Sequence, residues 1–104
     1  MNFTTTTQTN GTSRRGSIQA TYDQLVAVFG QPEVFTLENS DGKIDVEWAI
    51  AFDNGTVATI YNWKNGKNYC GADGLNVADI TQWNVGGNRY DSAVLVEEAL
   101  KVAA

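Results

Sequence analysis

The sequence has no histidine, one cysteine, one proline and more acids than bases. Without histidine, Ser-His-Asp and Cys-His catalysis are excluded, and so is any imidazole-ligated zinc or iron site. Cys70 has no second cysteine to pair with inside the chain and cannot build a thiolate cage, so a reducing cytosol is the expected compartment. Seven Lys and Arg against twelve Asp and Glu give a net charge of −5, the wrong sign for a duplex nucleic-acid binder, which needs a basic stripe to neutralise phosphates. No apolar run approaches the length of a membrane span, and the first residues lack the apolar core of a leader peptide. What remains for an enzyme is carboxylate chemistry, a lysine or a metal held by oxygens, so a binding protein with no cofactor and no metal is expected rather than an enzyme.

A chain of 104 residues builds one domain around one core. Its opening "MNFTTTTQTNGT" is polar and threonine-rich and reads as a flexible tail over residues 1–16, followed by a single α+β ligand-binding domain over 17–104. Residues 17–20 fit a short edge strand. In "TYDQLVAVFG", Thr21 and Gln24 form a capping-box pair, Tyr22, Leu25, Val26 and Phe29 share a helical face, and Gly30 and Pro32 stop the helix. Residues 33–37 fit another strand. The last helix, capped by Asp91, turns Val96, Ala99, Leu100 and Ala103 to one side.

The clearest signal is over 44–63. Ile44, Val46, Trp48, Ile50 and Phe52 alternate with polar or small residues, and Asn54-Gly55 suggests a two-residue type I′ hairpin turn. That turn sets Phe52 opposite Val57, Ile50 opposite Thr59, Trp48 opposite Tyr61 and Val46 opposite Trp63. The second face then carries Ala51/Ala58, Ala49/Ile60, Glu47/Asn62 and Asp45/Lys64, small enough near the turn for the last helix or another subunit to approach. Residues 64–79 form a long loop, and 80–85 return as a strand. The expected fold is α+β, a mostly antiparallel sheet with a central hairpin and two helices in the order β-α-β-β-β-β-α.

Three groups are candidate ligand contacts. Trp63, with Asn62 and Lys64, stands where the hairpin leaves the sheet and offers an aromatic platform with polar handles. Gly86, Gly87, Asn88 and Arg89, just after Trp83 and before a helix, combine close backbone approach with a fixed positive charge, an arrangement suited to phosphate. Arg14 and Arg15 could fold over an anion. Each group has a plain structural alternative: core aromatics, a glycine-rich turn and solvated charge. Asp45 and Glu47 could form an acid–base pair but fit ordinary cross-strand pairing, and Cys70 fits a small packing residue.

The segments "TYDQLVAVFGQP", "KIDVEWAIAFDNGTVATIYNWKNG" and "ITQWNVGGNRYDSAVLVEEAL", over about residues 17–100, resemble a set of small bacteriophage proteins. The layout looks most like the phage-encoded Thoeris anti-defence sponges, which hold cyclic ADP-ribose immune signals, and in some members cyclic oligonucleotides, without cleaving them. The turn pattern W-x-[IV]-GG-N falls on Trp83, Val85, Gly86, Gly87 and Asn88, while Asn84 stands where related phage proteins often have histidine. The resemblance implies a homo-oligomer, a dimer or trimer of dimers, binding a small anionic cyclic nucleotide in the host bacterial cytoplasm. Two other readings stay open: a direct protein-binding inhibitor of a host defence enzyme, and a cyclic-nucleotide hydrolase using Asp45, Glu47 or Asp73.

Overall fold

The computed structural model of the chain describes residues 2–103, so Met1 and Ala104, at the outer ends of the expected tail and domain, lie outside it. Six strands form one antiparallel sheet: β1 (Phe3–Thr5), β2 (Ser13–Gln19), β3 (Glu33–Val34), β4 (Val46–Phe52), β5 (Val57–Tyr61) and β6 (Gln82–Gly87). Their spatial order is β1-β4-β5-β6-β2, with β3 also on β4. The helices are α1 (Tyr22–Phe29), the single turn α2 (Lys67–Cys70) and α3 (Ser92–Ala103). The α+β class and its antiparallel hairpin are as the sequence suggests.

The helix α1 begins where its capping box dictates. Thr21 Oγ1 accepts the Gln24 N–H at 3.1 Å, and Gln24 Oε1 accepts the Thr21 N–H at 2.8 Å. It ends at Gly30, whose φ of +85° few other residues adopt readily. Two sheet tryptophans fasten this helix at both ends: Trp83 Nε1 donates to Ala20 O at 2.9 Å and Trp48 Nε1 to Gly30 O at 2.7 Å. Their rings meet edge to face, 5.4 Å between centroids, so the indoles fill the core and leave no N–H unpaired. Leu25 and Phe29 of α1 and Val96 of α3 complete a core with Ile18, Ile50, Phe52, Ala58, Ile60 and Val85.

Several expectations are corrected. The N-terminal stretch is not a loose tail: β1 pairs with Phe52, Ala51 and Ile50, and β2 starts at Ser13 and pairs with β6. Phe3 gives the reason, since its ring packs on Phe29 and Phe52, centroids 5.1 and 5.7 Å away. The hairpin register is shifted by one residue, with Ala51 opposite Val57, Ile50 opposite Ala58, Ala49 opposite Thr59 and Trp48 opposite Ile60. Phe52 N donates to Thr56 O and Gly55 N to Phe52 O, leaving a three-residue loop in which Gly55 alone takes a positive φ, +87°. That is a type I turn closed by a glycine bulge rather than the type I′ turn. A one-residue shift carries every β5 side chain to the other face, so Ala58 and Ile60 join the core while Val57, Thr59 and Tyr61 turn outward. The strand expected over 33–37 shortens to Glu33–Val34, and the long loop contains α2 and two 3₁₀ turns. Asp91 precedes α3, but its carboxylate Oδ1 is buried without a hydrogen-bond partner among the described residues, so it does not cap.

Both long helices lie on one face. Gly16 of β2 faces Ala93 of α3, and a Cβ on Gly87 would run into the Ser92 side chain. The other face, expected to take the last helix or another subunit, is not covered by either long helix. It carries Glu33, Glu47, Ala49, Ala51, Val57, Thr59, Tyr61, Asn84, Gly86, Ser17 and Arg14 in neighbouring rows.

Candidate functional site

Three asparagines and a glycine in "NWKNGKN" arrange the one exposed tryptophan. Asn62 is buried, and its Oδ1 accepts the N–H groups of Asp45 at 2.8 Å and Val46 at 3.1 Å. Its Nδ2 donates to Asp45 Oδ1 at 2.9 Å and to Asn65 Oδ1 at 3.1 Å. Asn68 N donates to Asp45 Oδ2 at 3.3 Å, and its side-chain amide donates to Phe35 O and Ile44 O. A Cβ at Gly66 would overlap the Asp45 carboxylate, so only glycine lets the chain pass so close. The buried Asp45 charge is thus held by amides rather than by a cation.

With Asn62 turned inward, the next two residues turn out. Lys64 has a φ of 58°, the one positive value outside glycine among the described residues, and its N–H donates to Lys43 O at 2.8 Å. Left-handed backbone in a long side chain is strained and is kept only where neighbouring bonds enforce it. Here it presents Trp63, 43 % exposed, with two ammonium groups near its ring: Lys43 Nζ lies 5.6 Å and Lys64 Nζ 5.8 Å from the indole centroid. Lys64 Nζ also lies 5.6 Å from the Tyr69 ring, and Tyr61 meets Trp63 edge to face at 6.2 Å. Lys43 pairs with Asp41 at 3.5 Å; its N–H and ammonium hold that carboxyl below its ordinary range. Lys67 follows in α2, so three of the seven basic residues occupy one corner of an acidic protein.

The remaining candidates do not gather there. Trp83 is fully buried with its N–H satisfied, so no face is free to stack on a ligand. Gly86 and Gly87 lie inside β6 rather than in a loop, and their missing side chains have structural reasons: a Cβ on Gly86 would stand 2.6 Å from Thr59 Oγ1, and one on Gly87 would strike Ser92. Asn88 clamps the hairpin turn, accepting the Val57 N–H at 2.8 Å and donating to Gly55 O at 3.2 Å, and Arg89 stands exposed beside it. This turn and Trp63 sit at opposite ends of β5, about 20 Å apart at roughly 3.3 Å per residue. Arg15 occupies a bulge in β2 and donates to Gly87 O at 3.0 Å. Arg14 lies on the open face and reaches Asn84 Oδ1 at 3.5 Å.

Asp45 and Glu47 are separated, the first in its amide cage and the second on the open face opposite Tyr61 and Glu33. Burial, then Glu33, pushes the Glu47 carboxyl up; burial likewise raises the Tyr61 hydroxyl, with Arg14 opposing. Cys70 is exposed rather than packed, its thiol donating to Lys64 O. Sequence reasoning placed Trp63 and Lys64 together but missed Lys43 and Tyr69, which reach the site only through the strand pairing and α2. No group of three or more metal-ligating side chains occurs among the described residues, and none of their helices is long and apolar enough to cross a membrane. Compared with protein-family models, curated proteins and solved structures, the chain gives no match.

Proposed function

We propose that this protein is a non-catalytic binder of a small anionic ligand with a planar ring, of the cyclic nucleotide class, held at the Trp63 corner. The observation that carries the reading is the exposed indole with the Lys43 and Lys64 ammonium groups both near its ring, in a chain of net charge −5. Two like charges on one ring repel each other, and a phosphate between them relieves that repulsion while a base stacks on the indole or on Tyr69. The strained Lys64 backbone and the amide cage hold this arrangement ready before a ligand arrives, which lowers the ordering cost of binding. The sequence resemblance adds the ligand identity, cyclic ADP-ribose immune signals sequestered for a phage in the host cytoplasm.

The test is calorimetric titration with cyclic ADP-ribose isomers and cyclic dinucleotides, followed by heat denaturation and chromatography of the released ligand. Saturable binding with intact ligand recovered supports sequestration. Trp63→Ala and Lys43→Ala/Lys64→Ala should each weaken binding at least tenfold without lowering the melting temperature, while Arg89→Ala binds normally. Degraded ligand would make the protein a hydrolase, and no saturable binding to any of these compounds would refute the reading.

A further inference from the structure

Of the three lysines at the Trp63 corner, two have a polar partner for their ammonium groups. Lys43 Nζ pairs with Asp41 at 3.5 Å, and Lys67 Nζ donates to Ala72 O at 3.3 Å. Lys64 Nζ has neither an ion pair nor a hydrogen bond among the described residues, and lies instead over two aromatic rings. It stands 5.8 Å from the centre of Trp63 and 5.6 Å from that of Tyr69. Each ring follows an asparagine that fixes its backbone. Trp63 follows the buried Asn62, and Tyr69 follows Asn68, whose side-chain amide donates to Phe35 O at 2.8 Å and to Ile44 O at 3.1 Å. Both rings are exposed, so the space they border is open to solvent and the Lys64 ammonium stands in it.

From this we infer that Lys64 is the specificity-determining residue of the corner: its ammonium is an internal occupant that keeps neutral rings out and gives way to a ligand that carries a phosphate. The inference rests on the ligand reading above and adds to it why a nucleotide binds where a nucleoside does not. An exposed cation–π contact is weak, and two together favour the occupied arrangement by about five- to thirtyfold. A neutral ring that stacks on Trp63 or Tyr69 sends the ammonium back into water and forfeits that factor. A phosphorylated ligand recovers it, because the displaced ammonium swings on its flexible stem to the phosphate oxygens and makes charge-assisted hydrogen bonds there. The left-handed backbone at Lys64, φ 58°, fixes where that stem leaves the chain. Lys43 also lies near the indole, but Asp41 already offsets its charge, so it discriminates less.

Adenosine and its 3′,5′-cyclic monophosphate make a matched pair of probes, alike in base and ribose and differing in the phosphate. Each is titrated calorimetrically, alongside cyclic ADP-ribose, into the full wild-type chain and into Lys64→Asn and Lys64→Gly. Both replacements tolerate left-handed backbone, so the melting temperature should not fall. The wild type should prefer the cyclic monophosphate to adenosine at least tenfold. In both variants adenosine should bind about fivefold tighter or more while the cyclic monophosphate weakens, so the preference collapses. Adenosine binding that neither substitution tightens overturns the inference, and leaves the ligand reading standing where cyclic ADP-ribose saturates the wild type. A wild type that takes adenosine as well as the cyclic monophosphate overturns it too. No saturable binding of any probe to any of the three proteins overturns both.

Discussion

Replacing Asn62 by alanine removes the pivot of the loop that carries the exposed tryptophan. Two strand-entry N–H groups, those of Asp45 and Val46, lose their shared acceptor, and the Asp45 carboxylate loses its 2.9 Å donor. Each buried group left unpaired costs about 1–3 kcal/mol, more for a charged one. Water can enter the space left by the amide and relieve part of this, so the net loss should be about 3–4 kcal/mol. Against a domain stability of about 5–15 kcal/mol that is a large fraction. Urea denaturation followed by circular dichroism gives the number directly, with an unchanged m-value showing that the unfolded state is not the cause. Asn62→Asp separates the two halves of the argument. It keeps an acceptor for both N–H groups but sets a second carboxylate against Asp45 where the amide donor stood. Asn62→Asp should therefore still lose stability in the same denaturation experiment, through the loss of the Asp45 donor and the approach of two carboxylates rather than through the strand-entry N–H groups. A loss below about 1 kcal/mol for Asn62→Ala would refute the cage.

Two further perturbations probe the sheet. Gly87→Ala should destabilise by about 2–4 kcal/mol in the same denaturation experiment, because the added methyl meets Ser92 and the Val57 carbonyl rather than open space; a near-neutral result would mean that α3 is not seated on β6. Glu47→Gln should flatten the pH dependence of the melting temperature. The carboxyl is raised by burial and by Glu33 above its ordinary 4.5, so ionising it costs stability as pH rises from there upward, and the amide variant lacks that fall. Parallel pH profiles for the two proteins would show that Glu47 is not held out of water.

How legible the fold was depended on whether a signal was local. The α1 boundaries follow from Thr21, Gln24 and Gly30, which act on their own backbone, and they came out right. The alternation in β4 is equally local. Its partner's register was not, because Asn54-Gly55 serves both a two-residue turn and a three-residue turn with a glycine bulge, and the choice rests on which β5 face finds a core. The threonine-rich start looked featureless because Phe3 is its one aromatic residue, and only the finished core shows where that ring goes. At the site, Trp63 was legible as an aromatic at a strand end. Gly86 and Gly87 misled because glycine permits close approach of any neighbour, and here the neighbours are Thr59 and Ser92.

The outer edge of β4 is covered by two fragments from separate parts of the chain. Residues 2–6 bond along 49–53, and Glu33–Phe35 along 45–47. Neither fragment is long enough to recruit another molecule, and between them they leave little of β4's backbone free. A protease that trimmed the first half-dozen residues would change that at once. It would bare the ladder groups beside Ile50 and Phe52, on a strand whose inward side chains are all apolar. Such an edge templates the addition of further strands. The shelf life of this protein therefore rests on residues 2–6.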